Sequence, residues 1–175
     1  VISLGGTLSR NEVRTVLADV GAECELNGFS MVTGRQHVDN QTSIDHARPH
    51  GTSSELYKGI FDGHATGVFN GRIVVRPDAQ KTSARQTNKN LILSDQALVN
   101  SKPLLEIFAN DVKCNHGATI GRLDENQVFY LRSRGMGELE ARGLLTYAFA
   151  SDLIGRIRIA SLKKILEEMI FRRLQ

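Results

Sequence analysis

The segment around Cys114 and His116 carries the side chains best suited to chemistry in this sequence of 175 residues. A thiolate and an imidazole suit soft or borderline metals, including iron in a sulfide cluster. If the segment is a β-strand, residues two apart point to the same face, with Cα atoms about 6–7 Å apart. The two side chains could then share one metal centre, although two ligands do not complete a four-coordinate site. The alternative is that Cys114 is a small buried apolar side chain and His116 a hydrogen-bonded neighbour.

His46 and His50 have the i, i+4 spacing with which a helix presents two metal ligands on one face. Pro49 lies directly before His50 and disfavours helical geometry at Arg48. We therefore expect a loop that carries ordinary polar histidines. Glycines also recur every four residues, as they do in associating membrane helices. Polar residues interrupt that stretch, so turns and tight strand packing are expected at Gly59, Gly63, Gly67 and Gly71.

The sequence motifs give little support for binding of nucleotides or nucleic acids. The dipeptide Gly-Lys does not occur, which excludes a P-loop, so any ATP would be bound by another chain. One stretch is basic but lacks the interleaved aromatic residues that stack on bases, and a solvated polar face is the preferred interpretation. Its basic residues are Arg72, Arg76, Lys81, Arg85 and Lys89.

Composition describes an ordinary folded protein, with 41% hydrophobic residues, 23% charged residues and a formal net charge of +3. The two cysteines are too few for a disulfide framework, which favours a reducing compartment. No apolar run approaches the ~18 residues of a membrane span. We expect a soluble, cytoplasmic protein, or a plastid protein if the source is a plant, with neither nucleic acid nor membrane as a partner.

Short strand-like segments, punctuated by Gly, Asn and Asp, follow one another up to about residue 134. Even spacing of short strands predicts a sandwich, a barrel or a β-solenoid, and the absence of a strict sequence period leaves these three open. The predicted segments are residues 13–17, 24–26, 56–61, 67–75, 91–93, 104–108 and 127–131.

Two amphipathic helices are predicted after Gly135. The first spans residues 138–157, with Leu139, Leu145, Phe149 and Leu153 on one face. The second is clearer, because its apolar side chains follow the i, i+3, i+4 spacing. These are Leu162, Ile165, Leu166, Met169, Ile170 and Leu174. The pair is either a cap packed on the β-domain or a docking surface for a partner.

Seven runs of the sequence together resemble the SufB/SufD family of iron-sulfur cluster assembly proteins. Leu131 and the run 116–119 are most similar to the SufD branch of that family. The resemblance covers essentially the whole chain, in order. It is carried by residues 54–59, 67–71, 79–82, 86–91, 102–107, 111–119 and 129–135.

The resemblance implies a mainly β fold: a right-handed parallel β-helix, or β-solenoid, over residues 1–134, followed by a C-terminal α-helical segment over residues 135–175. The first coils of that β-helix would lie outside this sequence. It also implies a non-catalytic scaffold subunit that works with a SufB-like paralogue and a SufC-like ABC ATPase. In isolation, the chain could instead pair with a second copy of itself.

The resemblance further implies that a transient iron-sulfur cluster forms between this chain and the SufB-like partner. His116 would be a metal ligand opposite a partner cysteine, with Cys114 beside it as a second candidate. No nucleotide would be bound by this chain. The candidate partner-contact residues are Arg132, Arg134, Gly135, Tyr147 and Phe149.

Two other functions compete with this interpretation. A carbohydrate-active β-helix enzyme could use Asp45 or Asp62 with Arg48, but sugar-binding grooves usually carry aromatic platforms. Only 6% of the residues are aromatic, and tryptophan is absent. The other alternative is a structural partner that organises the paralogue and the ATPase without contacting the cluster.

Overall fold

The strands of this protein form a parallel β-solenoid of about four turns, which confirms the predicted fold class. The structure is a computed structural model that describes residues 1–174. Odd-numbered strands form one sheet in the order β1-β3-β5-β7-β9, and even-numbered strands form the other in the order β2-β4-β6-β8. The strands are β1 (Ile2–Ser3), β2 (Leu8–Leu17), β3 (Glu23–Val32), β4 (His37–His46), β5 (Thr52–Phe61), β6 (Thr66–Val75), β7 (Ser83–Ile92), β8 (Leu98–Ile107) and β9 (Lys113–Gly121).

The length of one solenoid turn varies along the chain, which explains why no strict sequence period is visible. Arg10 and Asp39 lie on successive turns, where their side chains form a hydrogen bond, and they are 29 residues apart in the sequence. The separation is 31 residues for Glu55 and Gln86. The strands keep their register while the connecting loops differ in length. A repeat that is regular in space is therefore irregular in sequence.

The solenoid interior has an apolar cluster near each end of its cross-section and polar side chains between them. Leu17 and Ile44 belong to one cluster and Val38 and Phe61 to the other. Buried polar residues such as Asn40 lie on the same inward faces. The sequence pattern predicts no strand at β4, because polar inward side chains do not give the apolar alternation on which strand prediction depends.

The glycines spaced every four residues are turns and close-packing positions, as predicted. A Cβ atom at Gly59 or Gly67 would lie 2.3 Å from the ring of Phe61, so neither position has room for a side chain. Gly63 has a φ angle of +64°, which favours glycine in the loop between β5 and β6. These glycines allow large aromatic side chains to fill the interior.

Three helices follow the solenoid: α1 (Glu125–Ser133), α2 (Glu138–Ile154) and α3 (Ala160–Arg173). The prediction of a strand over residues 127–131 is wrong. The Asp124 side chain accepts a hydrogen bond from the backbone N–H of Asn126 and caps a helix instead. Helical structure therefore begins at Glu125. The two later helices are confirmed, and Gln175, the last residue of the predicted helical segment, lies outside the described residues.

Helices α2 and α3 pack on the outer face of the odd-numbered sheet. Each large apolar side chain buried there contributes roughly 1.5–3 kcal/mol. Leu139, which the sequence places on one face with Leu153, is 84% exposed, whereas Leu153 is buried. None of the helices in residues 1–174 is long and apolar enough to cross a membrane. The buried contact joins Phe29, Met31, Leu56, Ile60 and Leu91 of the sheet to Ala150, Leu153, Ile154, Leu166 and Ile170 of the helices.

Candidate functional site

Strand β9 is an open edge of the solenoid. It pairs with β7 on one side and lies at the end of the sheet order on the other. Residues 115–121 are all exposed. Its backbone N–H and C=O groups on the open side are therefore available to a further strand.

Cys114 and His116 share the inward face of β9, as the spacing of two predicts. Cys114 is half-buried and packs in an apolar cluster with Leu105 and Val112. Burial raises the pKa of the Cys114 thiol, which disfavours the thiolate that metals bind. His116 is exposed, because no further coil covers it. The two side chains thus differ: His116 is open to a ligand, and Cys114 is part of the packing.

Within the part of the chain that the structure describes, no third metal-binding side chain joins Cys114 and His116. Among residues 1–174, no group of three or more His, Cys, Asp or Glu side chains is placed to hold a metal ion.

A buried polar column lies beneath His116 inside the solenoid. The register aligns Glu55 with Gln86 and Gln86 with His116 on successive strands of one sheet. Gln86 Nε2 donates a hydrogen bond of 2.6 Å to Glu55 Oε2, and both side chains are almost fully buried. Burial raises the pKa of Glu55, although hydrogen bonds from Thr42 and Gln86 partly oppose it. Burial also raises the pKa of Tyr57, with the charge of Glu55 adding to it.

Apolar side chains surround the open edge. Ile107 and Phe108, at the end of β8, and Ile120, on β9, are exposed. Exposed apolar side chains next to an unpaired strand are typical of a protein–protein interface. We call this surface, with His116 at its centre, the rim.

The predicted partner-contact residues divide between two environments. Arg132 and Arg134 are exposed at the end of α1, and Gly135 follows in a turn with a φ angle of +93°. Arg134 lies over the ring of Tyr130, with its guanidinium carbon 5.3 Å from the ring centroid. Tyr147 lines an apolar groove between α2 and α3. This groove has a volume of about 720 Å³, and Met136, Leu144, Phe171 and Leu174 also line it.

Phe149 lies against the solenoid and contacts Lys58. The ammonium of Lys58 lies 4.7 Å from the centroid of the Phe149 ring and donates a hydrogen bond of 2.9 Å to the Phe149 carbonyl. The same ammonium lies 2.7 Å from Asp152 Oδ2, and Lys58 is itself buried. We call this group the lysine clasp. It attaches α2 to β5, and nothing in the sequence around Lys58 indicates that its charge is buried.

The apolar stripe of α3 is divided between two faces. Leu166 and Ile170 are buried against the sheet, whereas Leu162, Ile165 and Met169 are exposed. The two interpretations of the helical pair, as a cap and as a docking surface, therefore fit different faces of the same helix. We call the exposed apolar side chains of α2 and α3, with the groove at Tyr147, the helical face.

Two residues of the alternative sites, His46 and Asp45, are engaged in structural contacts. His46 is a buried residue at the end of β4, and its Nε2 lies 2.8 Å from Ser53 Oγ. Burial lowers the pKa of His46, which keeps the ring neutral. Asp45 forms an ion pair with Arg76 at 2.6 Å, and not with Arg48. A carbohydrate-active enzyme is therefore not favoured.

Comparison with known proteins gives consistent matches. Residues 1–149 match the family described as SUF system FeS cluster assembly, SufBD core domain. An iron-sulfur cluster assembly SufBD family protein of Synechocystis sp. is 41% identical over 169 residues, covering 97% of this chain and 37% of that protein. The iron-sulfur cluster assembly protein SufD of Escherichia coli is 40% identical over 161 residues, covering 92% of this chain and 38% of that protein.

A chloroplastic protein of Arabidopsis thaliana is also similar, with 39% identity over 155 residues. The match covers 87% of this chain and 32% of the plant protein. The chain thus spans less than half the length of these three relatives. The family match includes the whole solenoid, α1 and much of α2.

Proposed function

Because the chain belongs to the SufBD family of the SUF system and is SufD-like, we propose that it is a non-catalytic scaffold subunit of iron-sulfur cluster assembly. In this role the rim pairs with a SufB-like paralogue, and a nascent cluster, which is cargo, forms between the two chains. The helical face binds a SufC-like ATPase. We expect the protein to work in the cytoplasm of a bacterium or in a plastid, as the bacterial and chloroplastic relatives suggest.

The observation that carries this proposal is the position of His116 on an open edge strand. The side chain is exposed at the end of the solenoid, next to unpaired backbone groups and apolar side chains. A second β-solenoid could extend the sheet there and place its own ligands opposite His116. Cys114 is the less suitable ligand, because its thiol is half-buried and its pKa is raised.

The helical face supports the second part of the proposal. Exposed Leu144, Leu162 and Phe171 form an apolar surface that is separate from the rim. The lysine clasp joins this surface to the solenoid, so motion of the ATPase could be transmitted to β5 through α2. This arrangement would couple ATP hydrolysis in the partner to opening of the rim.

The test is to replace His116 in the complex reconstituted with both partners. We expect His116→Ala to remove cluster accumulation, measured by absorption and Mössbauer spectroscopy, and to leave ATPase binding intact. The matched control is His64→Ala, since His64 is an exposed histidine in the loop between β5 and β6. Unchanged cluster yield in His116→Ala would refute the ligand role.

A further inference from the structure

The buried polar column, which follows the inward face of the odd-numbered sheet, ends at His116. Strands β5, β7 and β9 are parallel neighbours, and their register places Glu55, Gln86 and His116 in line. Because side chains alternate along a strand, the three residues face the same interior, with about 4.8 Å between successive strands. Gln86 is therefore the polar residue directly beneath His116 in this column.

Within residues 1–174, the amide nitrogen of Gln86 is hydrogen-bonded and its amide oxygen is not. Its Nε2 donates to Glu55, which lies on the β5 side of β7. Its Oε1 is buried and has no hydrogen-bond partner within residues 1–174. Leaving a buried acceptor unpaired is unfavourable, so a donor that reaches it would be held there. Because Nε2 is held by Glu55 on the β5 side, Oε1 can accept a hydrogen bond from the β9 side, where His116 lies.

A neighbouring glycine makes room for this arrangement. A Cβ atom at Gly71 would lie 2.5 Å from Gln86 Nε2, so a larger residue there would displace the amide. The carboxylate of Glu55 holds the amide of Gln86 in the space that the glycine leaves. The orientation is thus determined by the solenoid and does not depend on a partner.

We propose that Gln86 is a positioning residue for His116: its Oε1 accepts the imidazole N–H and leaves the other ring nitrogen free to bind a metal. The proposal rests on the proposed function of His116 as a cluster ligand. Histidines that bind metals usually donate their second N–H to a fixed acceptor, which sets the tautomer and the ring orientation. His116 is exposed and is the register partner of Gln86, so its side chain is free to change rotamer toward this acceptor.

The first test reads the tautomer of His116 by ¹⁵N NMR in the full chain, with its signal assigned by comparison with His116→Ala. We expect one dominant tautomer in the wild type and a mixture in Gln86→Met, whose side chain has a similar length but no acceptor oxygen. Glu55→Leu should also give a mixture, because Gln86 loses its anchor. Glu55→Gln should restore the wild-type spectrum, since its amide oxygen can still accept from Gln86. Circular dichroism establishes that each variant is folded.

The second test measures cluster yield after reconstitution of the complex with ferrous iron and sulfide. We expect Gln86→Met to reduce the yield about tenfold, in the range typical of residues that orient metal ligands. An unchanged tautomer in both Gln86→Met and Glu55→Leu overturns the inference, whatever His116→Ala does. If the tautomer changes but His116→Ala leaves the yield unchanged, the proposed ligand role fails and the hydrogen bond alone is supported.

Discussion

The rim and the helical face are both exposed and apolar, but they are held in different ways. The rim is the end of a continuous parallel sheet, with a hydrogen-bonded ladder and a polar interior beneath it. The helical face belongs to helices attached through an apolar contact, the lysine clasp and a hydrogen bond of 3.2 Å from Arg173 to the Met31 carbonyl. A rigid edge suits a ligand that must be held in place, whereas separately attached helices suit a partner that moves. A substitution on one surface should therefore weaken binding at that surface and leave binding at the other unchanged.

The largest expected effect comes from placing one charge on each surface. Phe108 of the rim and Phe171 of the helical face are 62% and 57% exposed, so a substitution at either costs little folding free energy. We expect Phe108→Glu to weaken binding of the SufB-like paralogue by at least about tenfold, and Phe171→Glu to do the same for the SufC-like ATPase. Dissociation constants for both partners are measured with each variant.

Each of these variants is the control for the other. The comparison holds if Phe108→Glu retains the ATPase and Phe171→Glu retains the paralogue. Equal weakening of both partners by either variant would show that the two surfaces are one interface.

The sequence predicted the helices better than the strands that carry the site. Helix α3 could be recognised because its apolar spacing is regular, and the shared face of Cys114 and His116 follows from a spacing of two. The column below His116 could not be predicted, because its register depends on loop lengths that differ from turn to turn. Residues 127–131 form a short apolar and aromatic run like that of a strand, yet the cap at Asp124 makes them helical.

Stability of the solenoid beneath the rim should fall as the pH rises. Burial raises the pKa of Glu55 in the folded protein, so its contribution is fully present below the unfolded value near 4.5 and is lost as the pH passes the folded value. In Glu55→Gln this loss should be absent. The new amide would lie beside Thr42, whose hydroxyl oxygen can accept a hydrogen bond from the amide NH2. We expect a free energy of unfolding about 1 kcal/mol above wild type at pH 8.

Urea unfolding between pH 4 and pH 8 measures this difference. Glu23→Gln is the matched control, because Glu23 is exposed on β3 and its pH dependence should follow the wild type. A parallel pH dependence in wild type and Glu55→Gln would contradict the buried-carboxylate interpretation.

The attachment of the helical face should respond to pH in the opposite direction. The hydrogen bond from Lys58 lowers the pKa of Asp152 below its ordinary value of 3.8, so this contribution is present above that value and is lost as the pH falls through the folded pKa. Asp152 is half-exposed and its charge is screened by water. We therefore expect Asp152→Asn to lower the free energy of unfolding at pH 7 by only about 1 kcal/mol.

Hydrogen exchange at α2 and β5 locates this small effect. Protection should fall in Asp152→Asn at pH 7 and stay unchanged at β9, whereas Asp78→Asn, at an exposed aspartate, should alter neither. Because Lys58 keeps its bond to the Phe149 carbonyl, the helices should loosen without detaching. Loss of protection at β9 as well would mean that the lysine clasp stabilises the rim, and the two regions would then form one cooperative unit.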